Sequence, residues 1–388
     1  MRRVFIALGA VAAVSLMAAA AASASSIVYI KQGNIWLSSP DGSIQRQLTV
    51  DGGYSSPSQA DDGNIVALQN GQFVHLDRHG NPLNPPVDGL SGTSGGTTAF
   101  GPQDARVSPD DTRIAYDVGV LSSYFDYTCN CYLQTTEYET LYTAVNQFLD
   151  PAVNGVVRDY STPSWIDNQT ALLTATGIGI DQFAIHLLGG GDTDPTHFMQ
   201  WFSDTGTPRA AKAQLTRAQD KLVTLAGNAN ENLGIYSLSA SPLATPTREC
   251  VINEPGNGTT YDDPTWSPDG TALAYAKPDG IYVTPVGDIS SGDCSSIAPS
   301  LLIPGGSQPF WGPADVSPTD GTAVAAGTVA PATTPGTSPS GKPGSIGTAS
   351  HRLGPTGGRR CTTVHRHGHR RVRCVKHHVR KKHHKMGR

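Results

Sequence analysis

The sequence predicts an all-β fold built from repeated four-stranded sheets. Charged residues make up only 15% of the 388-residue chain, and 43 glycines and 28 prolines interrupt it. Helical bundles and coiled coils need long runs of helix formers without such breakers, so the composition excludes both classes. A phrase with the turn residues Pro, Asp and Gly recurs at spacings of 48, 57, 53 and 49 residues, which is the length of a propeller blade with long loops.

Residues 1–24 have the three parts of a secretory signal peptide. Arg2-Arg3 precedes an apolar stretch over residues 4–21, and residues 22–24 (Ala-Ser-Ala) form a small-residue cleavage site. An uncleaved anchor is the alternative, but the stretch ends in small residues and lacks a charged stop. We therefore expect a protein that is secreted or held in the cell envelope. No later stretch is long and apolar enough to span a membrane.

The recurring phrase organises residues 25–326. In its clearest copy, Trp266-Ser267-Pro268-Asp269-Gly270 is followed by an alternating apolar strand. Proline presets φ for a turn, aspartate accepts hydrogen bonds from the amides that follow, and glycine adopts positive φ. Each copy is thus a hairpin whose apolar faces a neighbouring copy must bury. The turn acids of the five copies are Asp62, Asp110, Asp167, Asp220 and Asp269.

The two ends of the repeat region predict how the sheets close into a ring. Residues 27–49 supply three strands without the Pro-x-Trp strand that should open a blade, whereas residues 308–313 supply a similar phrase at the far end. Five full repeats and this composite predict a six-bladed β-propeller closed by its C-terminal strand. Residues 317–321 (Ser-Pro-Thr-Asp-Gly) resemble a further turn of the repeat. The sequence therefore leaves undecided which strand is the last one of the ring.

The copy at residues 266–275 (Trp-Ser-Pro-Asp-Gly-Thr-Ala-Leu-Ala-Tyr) resembles the TolB-type, WD40-like β-propeller repeat. The resemblance covers residues 27–316, strongly in this copy, fairly in residues 107–116 and loosely elsewhere. The resemblance implies the propeller fold, and it indicates little about the function. We expect the mature chain to begin directly in a blade and to lack the separate N-terminal domain of TolB. TolB's role in the Tol–Pal envelope system is therefore not carried over.

The chain changes character after residue 326. Residues 327–358 are rich in Pro, Thr, Ser and Gly, which predicts a disordered linker. Residues 359–388 are basic and rich in histidine. Thirteen of the 28 Lys and Arg residues follow His351, no acid follows Asp320, and residues 25–320 carry a net charge of −20.

This charge pattern predicts that the tail attaches the protein to an anionic cell-wall polymer. A solvated, non-specific arm is the alternative. The tail imidazoles are also candidate ligands for an adventitious divalent metal, and no dedicated cofactor is predicted. These candidate ligands are His365, His367, His369, His377, His378, His383 and His384.

Six cysteines in an exported chain favour disulfides. They form three local pairs, which are Cys129 with Cys131, Cys250 with Cys294, and Cys361 with Cys374. The second pair is the bridge that we predict, and the third could close another. The first pair would close a very short ring, so its alternative is a pair of thiols that bond elsewhere or not at all.

Catalytic patterns are weak in this sequence. Residues 92–96 (Gly-Thr-Ser-Gly-Gly) fit the Gly-x-Ser-x-Gly pattern of a hydrolase, but their Gly, Ser, Thr and Pro flanks cannot form the helix that this chemistry needs. No Gly-Lys-Ser/Thr phosphate loop occurs, so no nucleotide is expected. The histidines before the linker show no metal-binding spacing and are His75, His79, His186 and His197. A metal-dependent lyase or hydrolase acting on an extracellular saccharide remains the alternative function.

Aromatic residues near carboxylates are the candidate binding residues, because flat rings stack on ligands and acids accept hydrogen bonds. Residues 117–158, the largest insertion, carry most of them. The alternative is that they pack long hairpins together. The candidates are Tyr124, Phe125, Tyr127, Tyr132, Tyr138, Tyr142, Phe198 and Trp201. The sequence thus predicts a non-enzymatic scaffold that binds an envelope protein or a polysaccharide.

Overall fold

A computed structural model describes residues 25–89, 92–94, 97–146, 156–158, 160–175, 182–187, 198–203, 211–226, 231–239, 244–253, 260–295, 297–316, 360–366 and 369–375. Across these ranges the chain forms strands and turns and no helix, so the predicted all-β propeller class is confirmed. The chain divides into one compact unit of Met1–Ser122 and Thr135–Gly327, and a second of Ser123–Gln134 and Thr328–Arg388. The described residues contain no helix that could cross a membrane.

Three sheets come from the first part of the repeat region. The first contains β1 (Ser26–Lys31), β2 (Asn34–Ser38), β3 (Gln45–Gln47) and the distant β25 (Ser307–Gly312). The second contains β4 (Tyr54–Gln59), β5 (Ile65–Gln69), β6 (Gln72–Leu76) and β7 (Val87–Asp88). The third contains β8 (Gly92–Ser94), β9 (Thr97–Val107), β10 (Arg113–Asp126), β11 (Cys131–Ala144) and β12 (Val156–Arg158).

Three further sheets follow in order along the chain. The fourth contains β13 (Tyr160–Trp165), β14 (Thr170–Ala175), β15 (Gln182–Leu187) and β16 (Phe198–Ser203). The fifth contains β17 (Ala211–Leu215), β18 (Lys221–Ala226), β19 (Asn232–Ser237) and β20 (Thr247–Asn253). The sixth contains β21 (Asp262–Trp266), β22 (Ala272–Lys277), β23 (Gly280–Pro285) and β24 (Ser300–Pro304). In the tail, β26 (Arg360–Arg366) pairs with β27 (His369–Val375).

The repeated turn has the chemistry that the sequence predicts. Asp110 Oδ1 accepts hydrogen bonds from Ser108 Oγ at 2.7 Å and from the Thr112 amide at 3.2 Å. In the sixth sheet, Asp269 Oδ1 accepts the equivalent bonds from Ser267 Oγ at 2.6 Å and from the Thr271 amide at 3.0 Å. The aspartate therefore holds the turn that joins β9 to β10 in the third sheet and β21 to β22 in the sixth.

One strand of each of the six sheets, which we call its innermost strand, carries a β-bulge at the same place in the repeat. These strands are β25, β4, β9, β13, β17 and β21. The residue at the bulge has a positive φ between 44° and 54°, and the pairing register shifts beside it. We call these six the bulge residues. They are Ser56, Asp104, Thr162, Lys212, Asp263 and Gln308. Because the strands are equivalent, the bulge side chains lie at one level of the repeat.

Apolar side chains are buried between consecutive sheets rather than within one. Leu68 and Phe73 of the second sheet pack with Tyr116 and Val118 of the third. Similar clusters join the first sheet to the second, the third to the fourth, the fourth to the fifth and the fifth to the sixth. A further cluster joins the sixth sheet to the first. Each sheet is thus covered on both faces.

Strand β25 connects the end of the repeat region to its beginning. It runs antiparallel to β1, with Trp311 opposite Ile27. The Trp311 amide donates to Thr265 Oγ1 in the sixth sheet at 3.0 Å. Gln308 Oε1 accepts the Ser56 amide of the second sheet at 2.9 Å. The last strand of the repeat region therefore contacts three sheets.

Two disulfides lie in the described residues. Cys250 of β20 is bonded to Cys294 across a Cα–Cα distance of 5.9 Å, as predicted. Cys129 and Cys131 are also bonded to each other. The short disulfide ring is therefore present, and the alternative of two thiols that bond elsewhere or not at all is wrong. Cys361 and Cys374 lie opposite each other in the β26–β27 pairing.

Several predictions concern residues outside the described ranges. They are the signal peptide at residues 1–24, the linker at residues 327–358, and the tail ligands His367, His377, His378, His383 and His384. His365 lies in β26 and His369 in β27.

Deleting residues 307–316 should abolish cooperative unfolding or cause aggregation, because β1 would lose its partner and expose an unpaired edge. The measurement is thermal unfolding followed by circular dichroism. A chain that ends after residue 316, which keeps β25 and lacks the linker and tail, is the matched control and should unfold like the full-length protein. An unchanged transition in the deletion variant would show that β25 is dispensable.

Replacing both Cys250 and Cys294 with Ala should lower the free energy of unfolding by up to roughly 4 kcal/mol, because the bridge closes a long loop in the unfolded chain. Urea unfolding under oxidising conditions measures the loss. The Cys129→Ser/Cys131→Ser variant is the control and should lose less, since its loop is far shorter. Equal losses in the two variants would argue against the loop-entropy explanation.

Candidate functional site

The innermost strands surround a cavity of about 310 Å³. Residues from all six sheets line it, including Gln59, Arg106, Ser164, Gln214, Thr265 and Trp311. Two tryptophans of the repeat donate their indole N–H to the preceding sheet, Trp165 to the Arg106 carbonyl at 2.8 Å and Trp266 to the Gln214 carbonyl at 3.1 Å. The tryptophan of the phrase therefore ties neighbouring innermost strands together.

Polar side chains in the cavity wall make a second set of bonds between sheets. Ser58 Oγ accepts the Val107 amide at 2.9 Å, and Gln214 Oε1 accepts the Trp266 amide at 2.8 Å. The bond from Trp311 to Thr265 has the same geometry. In each case the acceptor lies two residues after the bulge residue of its own strand. These side chains are therefore used in joining the sheets.

At the level of the bulge residues the wall carries a buried charge network. Arg106 approaches Asp104 Oδ1 at 2.7 Å and Asp263 Oδ1 at 3.3 Å. Lys212 Nζ approaches Asp263 at 2.8 Å and Asp262 at 2.6 Å. Burial alone would raise the pKa of Asp263, but Lys212 and Arg106 hold it below its ordinary value. Asp263 is thus a carboxylate shared by two cations.

Asp117 lies beside this network, and its pKa is shifted in the direction opposite to that of Asp263. Its Oδ2 accepts the Thr162 amide at 2.6 Å, and its Oδ1 lies 2.9 Å from Thr140 Oγ1. That hydroxyl also lies 3.0 Å from the Tyr160 carbonyl, and its single proton cannot serve both acceptors. Burial and the nearby Asp104 raise the pKa of Asp117 well above its ordinary value. If Asp117 is protonated, its carboxyl can donate to Thr140 Oγ1, which leaves the Thr140 proton for the Tyr160 carbonyl.

A different ion pair lies among the turns that follow the innermost strands. Arg217, after β17, forms a two-pronged contact with Asp61, after β4, in which Nη1 lies 3.0 Å from Oδ2. Both side chains are about half exposed. The pair joins the fifth sheet to the second, 156 residues away in the chain. Exposed pairs of this kind contribute little stability.

His75 has the structural role expected of a strand histidine. It is buried, with Nε2 3.0 Å from Asp111 Oδ2 and Nδ1 2.9 Å from Asn84 Nδ2. The His79 amide donates to Asp77. His186 lies in β15, and His197 is outside the described ranges. Among the described residues, no group of three or more His, Cys, Asp or Glu is placed to hold a metal ion.

The longest strands, β10 and β11, form a hairpin whose tip is Ser123–Gln134, and we call this segment the hairpin tip. Tyr127, Tyr132 and Tyr124 are 89%, 76% and 49% exposed. The Phe125 ring contacts Tyr127 and Tyr132 edge to face at centroid distances of 5.0 and 5.2 Å. The Cys129–Cys131 disulfide lies in the same segment. The tip thus carries a ring cluster that faces solvent.

The candidate binding residues therefore separate into two groups. Four of them, Tyr124, Phe125, Tyr127 and Tyr132, lie together in the hairpin tip. The others lie in β11 and β16. For these residues the alternative to ligand binding is that they pack the strands together. Tyr142 is a core residue that packs with Ala171 and Leu173, Trp201 donates its indole N–H to the Ala244 carbonyl at 3.0 Å, Tyr138 is half-buried in β11, and Phe198 lies in β16.

Sequence reasoning missed the charge network. Three of its five members, Asp104, Lys212 and Asp263, occupy the position just before the Pro or Ala of the repeated phrase. The sequence could have indicated the network, because this position carries an acid in two repeats, Asp104 and Asp263, and a base, Lys212, in another.

No protein-family model matches the chain, and no curated protein matches it by sequence. Solved structures with similar folds include TolB from Acinetobacter baumannii, at 13% identity and a TM-score of 0.47 over 74% of this chain and 66% of that one. A protein from Lactobacillus plantarum matches at 11% identity and a TM-score of 0.46 over 74% and 98% of the two chains. The Cps50 (Swd1) propeller domain of Myceliophteria thermophila matches at 14% identity and a TM-score of 0.41 over 69% and 84%.

The chain thus resembles TolB and WD40 propeller proteins in its fold.

The Asp117→Asn variant should become more stable relative to the native protein as pH rises. A raised pKa in the folded state means that native stability is complete below the unfolded aspartate pKa and is lost as pH rises toward the folded pKa. The relative loss should be about 1.4 kcal/mol per pH unit above about pH 4, ending at the raised pKa. Urea unfolding between pH 4 and pH 9 measures it.

The Asp117→Ala variant is the control. It leaves the Thr162 amide without an acceptor, so its free energy of unfolding should be lower than that of the native protein by about 1–3 kcal/mol at pH 4. A constant difference between the native protein and Asp117→Asn across the range would mean that Asp117 is ionised.

Proposed function

We propose that the protein is a secreted, non-enzymatic binding scaffold of the cell envelope. Its body is a six-bladed propeller that occupies residues 25–326 and is closed by β25. The clusters between consecutive sheets, including the one between the sixth sheet and the first, support this closure. The signal-like residues 1–24 support export.

The exposed rings of the hairpin tip carry the proposal. Eight large hydrophobic side chains are exposed in the described part of the chain, and three of them, Tyr124, Tyr127 and Tyr132, lie within this one short segment. Isolated exposed apolar side chains need no explanation, whereas a concentrated group marks an interaction site. Tyrosine suits that use because it offers a large rigid face and a polar tip. The tip is therefore the surface that contacts an envelope protein or saccharide.

The cavity wall supports a scaffold rather than an enzyme. Its polar side chains join neighbouring sheets, and its buried cations Arg106 and Lys212 are paired with carboxylates. A general base or nucleophile would need a partner arrangement directed at a substrate. The hydrogen bonds and ion pairs of the cavity wall instead join neighbouring sheets to one another.

The basic tail supplies a second, electrostatic attachment. Thirteen basic residues follow His351, while residues 25–320 carry a net charge of −20. An acidic body is repelled by an anionic wall polymer, so attachment to such a polymer falls to residues 359–388. No dedicated metal is required for this role.

Retention on envelope material from the producing cells tests both attachments. The full-length protein is compared with a tip variant, in which Tyr124, Tyr127 and Tyr132 are changed to Ser, and with a chain that ends at Gly327. The tip variant should lose the part of the retention that is independent of salt and keep the part that the tail supplies at low salt. The shortened chain should lose only the part that weakens as the Debye length falls from about 30 Å at 0.01 M to about 8 Å at 0.15 M salt.

Equal melting temperatures of the three proteins are the control for folding. Full retention of the tip variant at both salt concentrations would overturn the role of the tip. Retention of the shortened chain equal to that of the full-length protein at low salt would overturn the role of the tail.

A further inference from the structure

We propose that the hairpin tip binds an uncharged saccharide chain, whose sugar rings stack on Tyr127 and Tyr132. This inference rests on the proposed function and names the partner of its tip.

The charge of the tip supports this class of ligand. Among the twelve residues Ser123–Gln134 there is no Lys, Arg or His, and Asp126 is the single acid. Asp126 Oδ1 accepts the Thr128 amide at 2.7 Å, so the carboxylate is used in the turn. Anionic polymers and anionic membranes are bound by Lys and Arg, which the tip lacks. The tip is complementary to a ligand without charge.

The ring geometry supplies the stacking surface. Phe125 lies edge to face against both tyrosines, with interplanar angles of 81° to Tyr127 and 71° to Tyr132. Phe125 therefore contacts two rings that remain largely exposed. The face of an aromatic ring is electron-rich and attracts the weakly positive C–H groups on one side of a sugar ring. Two such rings can hold sugars of one chain.

Polar groups in the tip suit the hydroxyl groups of a sugar. Ser123, Thr128, Asn130 and Gln134 contribute hydroxyl or amide groups to the same segment. Such side chains both donate and accept hydrogen bonds. They match hydroxyl-rich ligands better than ligands with a single charged group.

The size of the tip distinguishes a saccharide from a folded protein partner. A stable protein–protein interface buries about 800 Å² on each partner and uses about 20–30 residues. The tip has twelve residues on two strands and a turn. A sugar chain needs only the ring faces.

The turn is preorganised for binding. The disulfide between Cys129 and Cys131 and the bond from Thr128 to Asp126 restrict the segment that joins the rings. Less conformational entropy is then lost when the rings become fixed against a ligand.

Affinity electrophoresis of the full-length protein through gels that contain soluble neutral polysaccharides tests the inference, together with pull-down on insoluble chitin, cellulose and xylan. At least one neutral glycan should retain the protein. Tyr127→Ala and Tyr132→Ala should each weaken binding by about two- to tenfold. Tyr127→Phe should bind more strongly than Tyr127→Ala, because it keeps the ring.

The matched control is Leu301→Ala, which removes an exposed apolar side chain from β24 and should leave binding unchanged. Retention by a neutral glycan should also be indifferent to salt, which separates it from attachment through the basic tail.

Two outcomes would overturn the inference. In the first, no neutral glycan retains the protein, while envelope material retains it through the tip and loses that ability after protease treatment. The partner is then a protein, and the proposed scaffold function stands. In the second, a neutral glycan retains the native protein and both alanine variants equally. The sugar-binding site then lies outside the hairpin tip. Failure of the scaffold function itself is distinct, because envelope material would then retain the native protein and the tip variant equally.

Discussion

The structure depends on the burial of apolar faces between neighbouring sheets. A single four-stranded sheet has two faces and cannot cover either of them alone. Here Phe73 of one sheet meets Tyr116 of the next, and Tyr29 of the first sheet packs in the cluster that contains Ile281 of the sixth. Each sheet is therefore stable only because its neighbours are present, and the fold has no natural place at which the row of sheets can stop. The short repeated turns matter because they deliver each strand to this packing.

The charge network limits how the innermost strands can be arranged. Buried ion pairs contribute little net stability, since the cost of removing the charges from water offsets their attraction. Asp263 Oδ2 is buried without a hydrogen-bond partner among the described residues, which adds to that cost. A strand displaced by one residue would place Arg106 or Lys212 away from Asp263 and leave a buried charge unpaired. The network therefore adds an electrostatic cost to any shift in the register of these strands.

The sequence predicts the local chemistry of this protein well and its long-range contacts poorly. The turn geometry at Asp110 and Asp269 follows from a few adjacent residues, so the repeated phrase reveals it. The contact between Arg106 and Asp263 joins residues 157 apart in the chain, and no local pattern encodes it. The aromatic insertion shows the same limit, because Tyr142 and Tyr127 look alike in sequence. Burial of Tyr142 depends on the fourth sheet, whereas Tyr127 is 89% exposed.

Strand β25 has a consequence for how the chain reaches this structure. Trp311 donates its indole N–H to Ser25 Oγ, 286 residues earlier in the chain. When such a chain emerges from the ribosome with its N-terminus first, β1 can pair with β2 at once, but almost the entire repeat region must follow before β25 covers its other edge. Contacts of this sequence separation slow folding, and an open strand edge can pair wrongly in the meantime. The second edge of β1 therefore stays unpaired until residues 307–312 have been synthesised.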